Sequence, residues 1–586
     1  MSNVVTAGPT DGSDLVLRGP HRSGLAWALL PHLAFVLMTV MTWKRWVLPF
    51  QDSGREMLTP ARLAAGETLY RDVGSPYGPL PAYLDAFVLR LLGKDLDVLI
   101  ALRLTFAFLG VEALRRLARR LVHEARSASV ITAFAVVSCL FGNGGNWPFP
   151  YSVAALEGTV GCWWALELAL SSDGWGQSLL AALVAGLAAG TKLEMLPAAL
   201  VAVAPALLIR RPRREALVAS GVAGLLGAAT FAAPVLAFGV EHIRRYAFLI
   251  AFPVPKPWQE MYRYGVLFAR TSPREFFSGG LLVIWLPSIA FFAAAVFLCS
   301  ARVTSVLRAV ALAALLTLAA LRLRENAEIA ALVPLAAVLL AIEAVGLWRE
   351  RSSPDPIRVA RFCIALVALP ALARQPFFLR NMIYGAFSAP LALAVSLAFL
   401  ARLARFRLSF ALFLVGLAGV HGFEKWQDNH RHPVEWVDVP RVRVYLPVEE
   451  ARLVRLSVDL IRRETAPNSY VAAFPDPGLL LFSTDRRSPF IDDVFYPGVQ
   501  DPLAEDLMIR RLDERSVSLI LVANRNFIEY GRGRYGRGVL DRFFAYVNRA
   551  YDAAEVLGSA PTETWRERHA TMALVLRRRS GSSPGQ

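Results

Sequence analysis

Residues 24–48 read GLAWALLPHLAFVLMTVMTWKRWVL, and residues 50–84, one proline later, read FQDSGREMLTPARLAAGETLYRDVGSPYGPLPAYL. The first stretch is apolar over a length that crosses roughly 30 Å of hydrocarbon as a helix. No small-residue cleavage site clearly follows it, so it reads as an uncleaved first span. The second stretch opens on Asp52 and Glu56. It then passes through a short helical pattern, Leu58 to Ala65, with Gly66 placed as its C-cap. Tyr70, Arg71 and Asp72 follow, then Ser75, Pro76, Tyr77, Gly78, Pro79, Leu80 and Pro81 lead into another apolar helix. A span that ends in a carboxylate-bearing loop is the unit from which the chain is read outward.

The apolar pattern recurs. Thirteen spans are predicted, at 24–48, 97–116, 127–141, 152–170, 177–190, 193–209, 216–238, 280–299, 307–322, 327–347, 360–374, 384–401 and 408–424. The pair 177–190 and 193–209 is short for two crossings and also fits a hairpin that stops partway. Composition agrees: 55% of the 586 residues are hydrophobic, 19% are charged and the mean hydropathy is +0.43. A soluble chain of this length needs more polar surface.

The net charge of +16 does not point to nucleic acid. The basic residues fall in short runs between apolar blocks: Arg115, Arg116, Arg119 and Arg120; Arg210, Arg211, Arg213 and Arg214; Arg402, Arg405 and Arg407. That is the positive-inside bias of a membrane protein. With these loops in the cytoplasm the N-terminus is inside, and an odd number of spans puts the C-terminus outside. Lys44 and Arg45, and the basic loop 239–279, run against the rule at the outer face. Cys139, Cys162, Cys299 and Cys363 lie in or beside apolar blocks without metal-ligand spacing and read as small hydrophobic residues.

The domain plan follows: a disordered cytoplasmic N-terminus over 1–23, a transmembrane domain over 24–424 with a first outer loop at 50–96, an extracytoplasmic α/β domain over 425–578 and a disordered tail over 579–586. In 425–578 the apolar blocks shorten to strand length and charges rise. Helices are predicted at 447–463, 502–514 and 538–550, and strands at 469–474, 517–523 and 571–577, with a turn at Pro475, Asp476, Pro477 and Gly478.

The first outer loop resembles that of GT-C glycosyltransferases, in the bacterial group that includes aminoarabinose transferases and protein mannosyltransferases. Asp52, Gly66, Tyr70, Asp72, Gly78, Pro79 and Leu80 carry the likeness, and the span number and C-terminal domain fit it. The resemblance implies a polytopic α-helical fold and transfer of a sugar from a polyprenyl-phosphate donor to a lipid, glycan or protein acceptor at the extracytoplasmic face of a bacterial inner membrane.

That chemistry needs a carboxylate to take the acceptor proton and cations to hold the leaving phosphate, both near the membrane surface. Asp52 has the right depth for the base, and equally the right place to cap the following helix. Glu56, one turn on, either shares the site or faces water, and Asp72 has turn chemistry as its alternative. Tyr77 lies in the aromatic step. Lys192, in a TK-x-E element that resembles one beside the family's donor site, is the first choice for a phosphate contact. Pairing with Glu194 is its alternative. Glu157 loosely matches a second family acid, or is a buried glutamate bonded to a neighbouring helix. Lys256 and Arg263, beside aromatics, suit a phosphate and a sugar face, or an interfacial helix. Arg324 and Arg380 resemble family arginines at outer span ends, although Glu325 stands where an aromatic is expected after Arg324.

No cofactor is expected, since no nucleotide signature and no DxD element occur, and a divalent metal is left open. A lipid-linked glycan flippase, a glycan polymerase or ligase, and a non-catalytic scaffold of envelope glycan assembly are the competing readings.

Overall fold

The computed structural model describes residues 22–122, 124–141, 146–246, 286–322, 332, 334–350, 354–369, 387–405, 407–495, 502–525, 534–559 and 570–580. The helical region runs α1 (Arg22–Met41), α2 (Ser53–Ala64), α3 (Pro79–Leu92), α4 (Leu96–Leu121), α5 (Ala125–Cys139), α6 (Val153–Ser171), α7 (Trp175–Ala189), α8 (Met195–Arg210), α9 (Arg213–Phe238), α10 (Val240–Tyr246), α11 (Leu286–Ser300), α12 (Ser305–Arg322), α13 (Pro334–Arg349), α14 (Pro356–Ala368), α15 (Ala389–Leu403) and α16 (Arg407–His430).

Among the described residues, α6, α9 and α16 are long and apolar enough to cross a membrane, and α5, α7, α8, α11 and α15 are shorter apolar helices. Parts of the predicted spans 280–299, 327–347, 360–374 and 384–401 lie outside the described residues. The most apolar window of α6 is 83% buried and that of α9 only 22%. So α6 is a central helix, while α9 leaves Leu225 and Leu236 open, the arrangement expected of a helix that faces lipid.

Two boundaries differ from the sequence reading. The first helix ends at Met41, because the chain turns through Lys44 at φ 55°. The last helix continues past Lys425 to His430. The change of composition at 425 is therefore a change of surroundings within one helix.

The C-terminal region is α/β. A hairpin of β1 (Val434–Val439) and β2 (Val442–Pro447) precedes α17 (Val448–Glu464), β3 (Ala472–Phe474), α18 (Gly478–Thr484), α19 (Pro502–Glu514), β4 (Leu519–Ala523), β5 (Arg534–Tyr535), β6 (Gly538–Val539), α20 (Asp541–Ala550), β7 (Tyr551–Gly558) and β8 (Met572–Arg578). The main sheet has the order β3-β4-β8-β7, parallel between β3 and β4 and antiparallel elsewhere. The predicted helices at 447–463 and 502–514 and all three predicted strands are present. The hairpin, α18 and β7 come in addition, and the third helix begins at Asp541 instead of Gly538.

Strand alternation divides the core in two. Ala473, Leu519, Leu521 and Val575 face α17 and α18, whereas Ala472, Phe474, Ile520 and Leu576 face α19 and α20. The first of these layers does not end at the domain edge. It continues without a break into Trp46, Phe50, Met57 and Leu58 and into Leu96 and Leu99 of α4. The C-terminal region and residues 46–58 thus share one hydrophobic core.

Polar contacts reinforce the junction, and they explain the two basic residues that broke the charge rule. Lys44 pairs with Asp97 at 2.5 Å and lies 5.4 Å from the Trp436 ring centre. Arg45 donates to the Asn429 carbonyl and covers Tyr445. Both side chains fasten the β1–β2 hairpin to the end of the first helix.

Candidate active site

The first outer loop forms helix α2 from Ser53, earlier than the pattern predicted, so Asp52 occupies the N-cap position. Gly66 follows the helix at φ +99°, the conformation a glycine beyond a helix end provides. Asp52 is more than a third exposed and lies 3.9 Å from Arg55. Its side chain makes no cap hydrogen bond to α2.

Arg55, absent from the sequence-based candidates, is the centre of the site. Its Nη2 donates to Glu56 Oε1 at 3.3 Å, Tyr77 Oη at 3.1 Å and the Tyr151 carbonyl at 3.2 Å. Its guanidinium also lies 5.0 Å from the Tyr77 ring centre. Lys192 Nζ approaches the same ring at 5.5 Å. What brings Lys192 there is a backbone bond, from Gly78 N–H to the Thr191 carbonyl at 2.9 Å. A Cβ at Gly78 would strike the Gly190 carbonyl, so only glycine permits this approach. Two cations therefore meet at one tyrosine, with Asp52 beside the first of them.

Lys192 also pairs with Glu194, whose side chain is 60% exposed. An exposed partner is easily exchanged, because a surface ion pair adds little. Asp72 accepts from Thr68 N–H at 2.8 Å and pairs with Arg71, which makes it the closing residue of a turn. The Arg71 bond is the main cause that holds its carboxyl below the ordinary range. Lys256, Arg263, Arg324 and Arg380 lie outside the described residues.

A second charged group sits deeper. Arg103 of α4 is fully buried and donates to Asp85 Oδ1 at 2.7 Å and to Glu157 Oε1 at 3.2 Å. Glu157 is thus held against a neighbouring helix, and Asp85 and Arg103 join it unanticipated by the sequence reading. Glu56 stands between the two groups. Burial lifts its carboxyl to about 7, against the pull of Arg55 and then Arg103. Arg55, Glu56, Thr59, Ser75, Tyr77 and Asp85 line a small cavity between them.

The C-terminal α/β region closes the back of α2. Asp476 Oδ2 accepts from Gly54 N–H at 3.2 Å, Asp493 pairs with Arg62 at 2.6 Å and Gly74 N–H donates to the Ile491 carbonyl at 2.8 Å. Burial is the first cause that raises Asp476 to about 7 and Asp493 to about 6. An arginine within the apolar run 97–116, Arg103, is a signal the sequence did carry. Asp476 and Asp493 had none, since a turn aspartate and a loop aspartate look like any other. Among the described residues no three His, Cys, Asp or Glu side chains converge as metal ligands.

The sequence matches no family model and no curated protein. Among solved structures the chain is similar to an oligosaccharyltransferase and to ArnT. The first is the Archaeoglobus fulgidus oligosaccharyltransferase complex with Zn and sulfate: TM-score 0.46, 14% identity, over 89% of this chain and 69% of that one. ArnT from Cupriavidus metallidurans is similar both bound to undecaprenyl phosphate and in the apo state. The TM-scores are 0.43 and 0.41, at 14% identity, over 97% and 96% of this chain and the whole of those chains.

Proposed function

We propose that the protein is a membrane glycosyltransferase that moves one sugar from a polyprenyl-phosphate donor to a lipid, glycan or protein acceptor at the extracytoplasmic face. The observation that carries this reading is the meeting of Asp52, Arg55 and Lys192 around Tyr77. Asp52 takes the proton of the acceptor hydroxyl as its oxygen attacks the anomeric carbon. The bond from that carbon to the phosphate oxygen breaks, and its electron pair leaves with the polyprenyl phosphate. Arg55 and Lys192 stabilise the charge that develops on the phosphate, the larger contribution in such a site. Lys192 leaves its exposed partner Glu194 for the phosphate. Arg55 is the residue to add to the set read from the sequence, and Lys256, Arg263, Arg324 and Arg380 remain its proposed outer partners. Tyr77 orients the two cations, and Glu56 sets the position of Arg55.

In this reading the thirteen spans hold the site at the outer face of a bacterial inner membrane, with the N-terminus inside and residues 425–578 outside. The test is sugar transfer by the purified protein in detergent, given a panel of radiolabelled polyprenyl-phosphate sugars and host lipid extract. Transfer by wild type that vanishes in Asp52→Asn at unchanged folded yield supports both class and base. Transfer that survives in Asp52→Asn removes Asp52 from the role. Absence of transfer from every donor, with the acceptor supplied, overturns the enzyme reading.

A further inference from the structure

We infer that Asp476, on the soluble region, is a positioning residue that caps α2 in place of Asp52; for what this leaves Asp52 to do, the inference rests on the function proposed above. An N-cap residue ordinarily lends its side-chain oxygen to the N–H of the second or third helical residue. Asp52 holds that position of α2, yet its side chain makes no cap hydrogen bond. The N–H of Gly54, second in the helix, donates to Asp476 Oδ2 at 3.2 Å, from a residue 422 positions away. The other oxygen of that carboxylate accepts from Gly478 N–H at 2.9 Å, where α18 begins.

One carboxylate therefore closes two helix starts, whose partial positive charge favours it there. Asp476 is 1% exposed, so the cap is shielded from water. Two glycines make the approach possible. A Cβ at Gly54 would meet the Asp476 carboxylate, and a Cβ at Gly478 would meet the Gly54 backbone. Burial, and after it the Asp52 charge, are what raise Asp476 to about 7, which places the two carboxylates within electrostatic reach of each other. The soluble region thus supplies the helix cap, and the carboxylate next in line for that task stays turned to the site.

Amide hydrogen exchange over residues 53–57, in the full-length protein in detergent, separates the two possible caps. In Asp476→Ala the Gly54 amide should exchange about fivefold to tenfold faster, the effect of losing one cap. In Asp52→Ala it should stay within about twofold of wild type. No acceleration in Asp476→Ala, or acceleration in Asp52→Ala alone, overturns the inference. If Asp476→Ala does not fold, Gly478→Ala forces the same separation and carries the same expectation. Asp476→Asn, with one acceptor oxygen left, should fall between. In the transfer assay Asp476→Ala should lower kcat about tenfold with donor KM nearly unchanged, as expected of a displaced base. Equal kcat in Asp476→Ala and wild type would refute the positioning role. Where wild type itself transfers nothing, only the proposed function falls, and the exchange result still decides the cap.

Discussion

Replacing Arg62 with methionine removes the counter-charge of a carboxylate buried behind the candidate base. Arg62 is 6% and Asp493 0% exposed at the side chain, 2.6 Å apart. Without Arg62, the hydrogen-bond partner left to Asp493 Oδ2 among the described residues is Thr59 Oγ1, at 3.5 Å. The carboxylate then stays neutral, and neutrality has a cost that depends on pH. Asp493 moves from an ordinary 3.8 to about 6 in the folded protein, mainly by burial against the pull of Arg62. A folded value raised above the unfolded one means stability is lost as pH rises from the unfolded value to the folded one, and the loss stops near 6 in wild type. In Arg62→Met the folded value lies higher still, so the loss continues. The deficit of the variant against wild type should be flat below about pH 6 and grow by about 1.4 kcal/mol per pH unit above it. Unfolding of the purified proteins in detergent at pH 5, 6, 7 and 8 reads this directly. Adding Asp493→Asn removes the titrating group, so the rise above pH 6 should vanish in the double variant. A deficit independent of pH in Arg62→Met would show that Asp493 is hydrated and the reasoning from burial wrong.

Lys192→Ala should lower kcat/KM for the donor by about 10- to 100-fold, the loss of one charged contact to phosphate, with Lys192→Arg close to wild type in a steady-state assay. Gly78→Ala should do comparable damage without touching any charge, because its Cβ would part Tyr77 from Lys192; restored activity on removal of that methyl alone, as glycine, is the control. Phe474 packs on the rings of Phe490, Phe495, Tyr535, Phe543 and Phe544 at 4.7 to 5.9 Å. Phe474→Ala should cost about 3–5 kcal/mol, seen as an early unfolding transition of the soluble region by near-ultraviolet circular dichroism.

Local pattern made the helices and most strands readable. Leu519 to Ala523 is an unbroken apolar run, and the buried Val454, Val458 and Ile461 mark one face of α17. The hairpin carried a signal that the sequence reading did not use, since Val437 and Val439 flank Asp438, and Val442, Val444 and Leu446 alternate with Arg443 and Tyr445. By contrast β7 is exposed along most of its length, so no alternation marks it. Of the sequence-based candidates, Asp52, Tyr77 and Lys192 are brought together, Asp52 and Tyr77 beside Arg55 and Lys192 over the Tyr77 ring. Arg55 was not readable, because its partners Tyr77 and Tyr151 are 22 and 96 positions away. Nothing local announces that Asp476 or Asp493 meets a helix more than 400 positions earlier in the chain.

That separation sets an order on biogenesis. Residues 50–96 leave the ribosome before the residues that pack behind α2, Asp476 following Gly54 by 422 positions. Until residues 472–493 arrive, Met57 and Leu58 lack the layer that covers them, Gly54 lacks Asp476 and Arg62 lacks Asp493. Closing a loop that long adds little to its entropy beyond a shorter one, but it cannot begin before residues 472–493 are made. A chain cut short between residues 192 and 472 would carry Asp52, Arg55, Tyr77 and Lys192 and still lack the acceptors that close the back of α2. Under the function proposed above, synthesis of residues 472–493 then precedes any transfer.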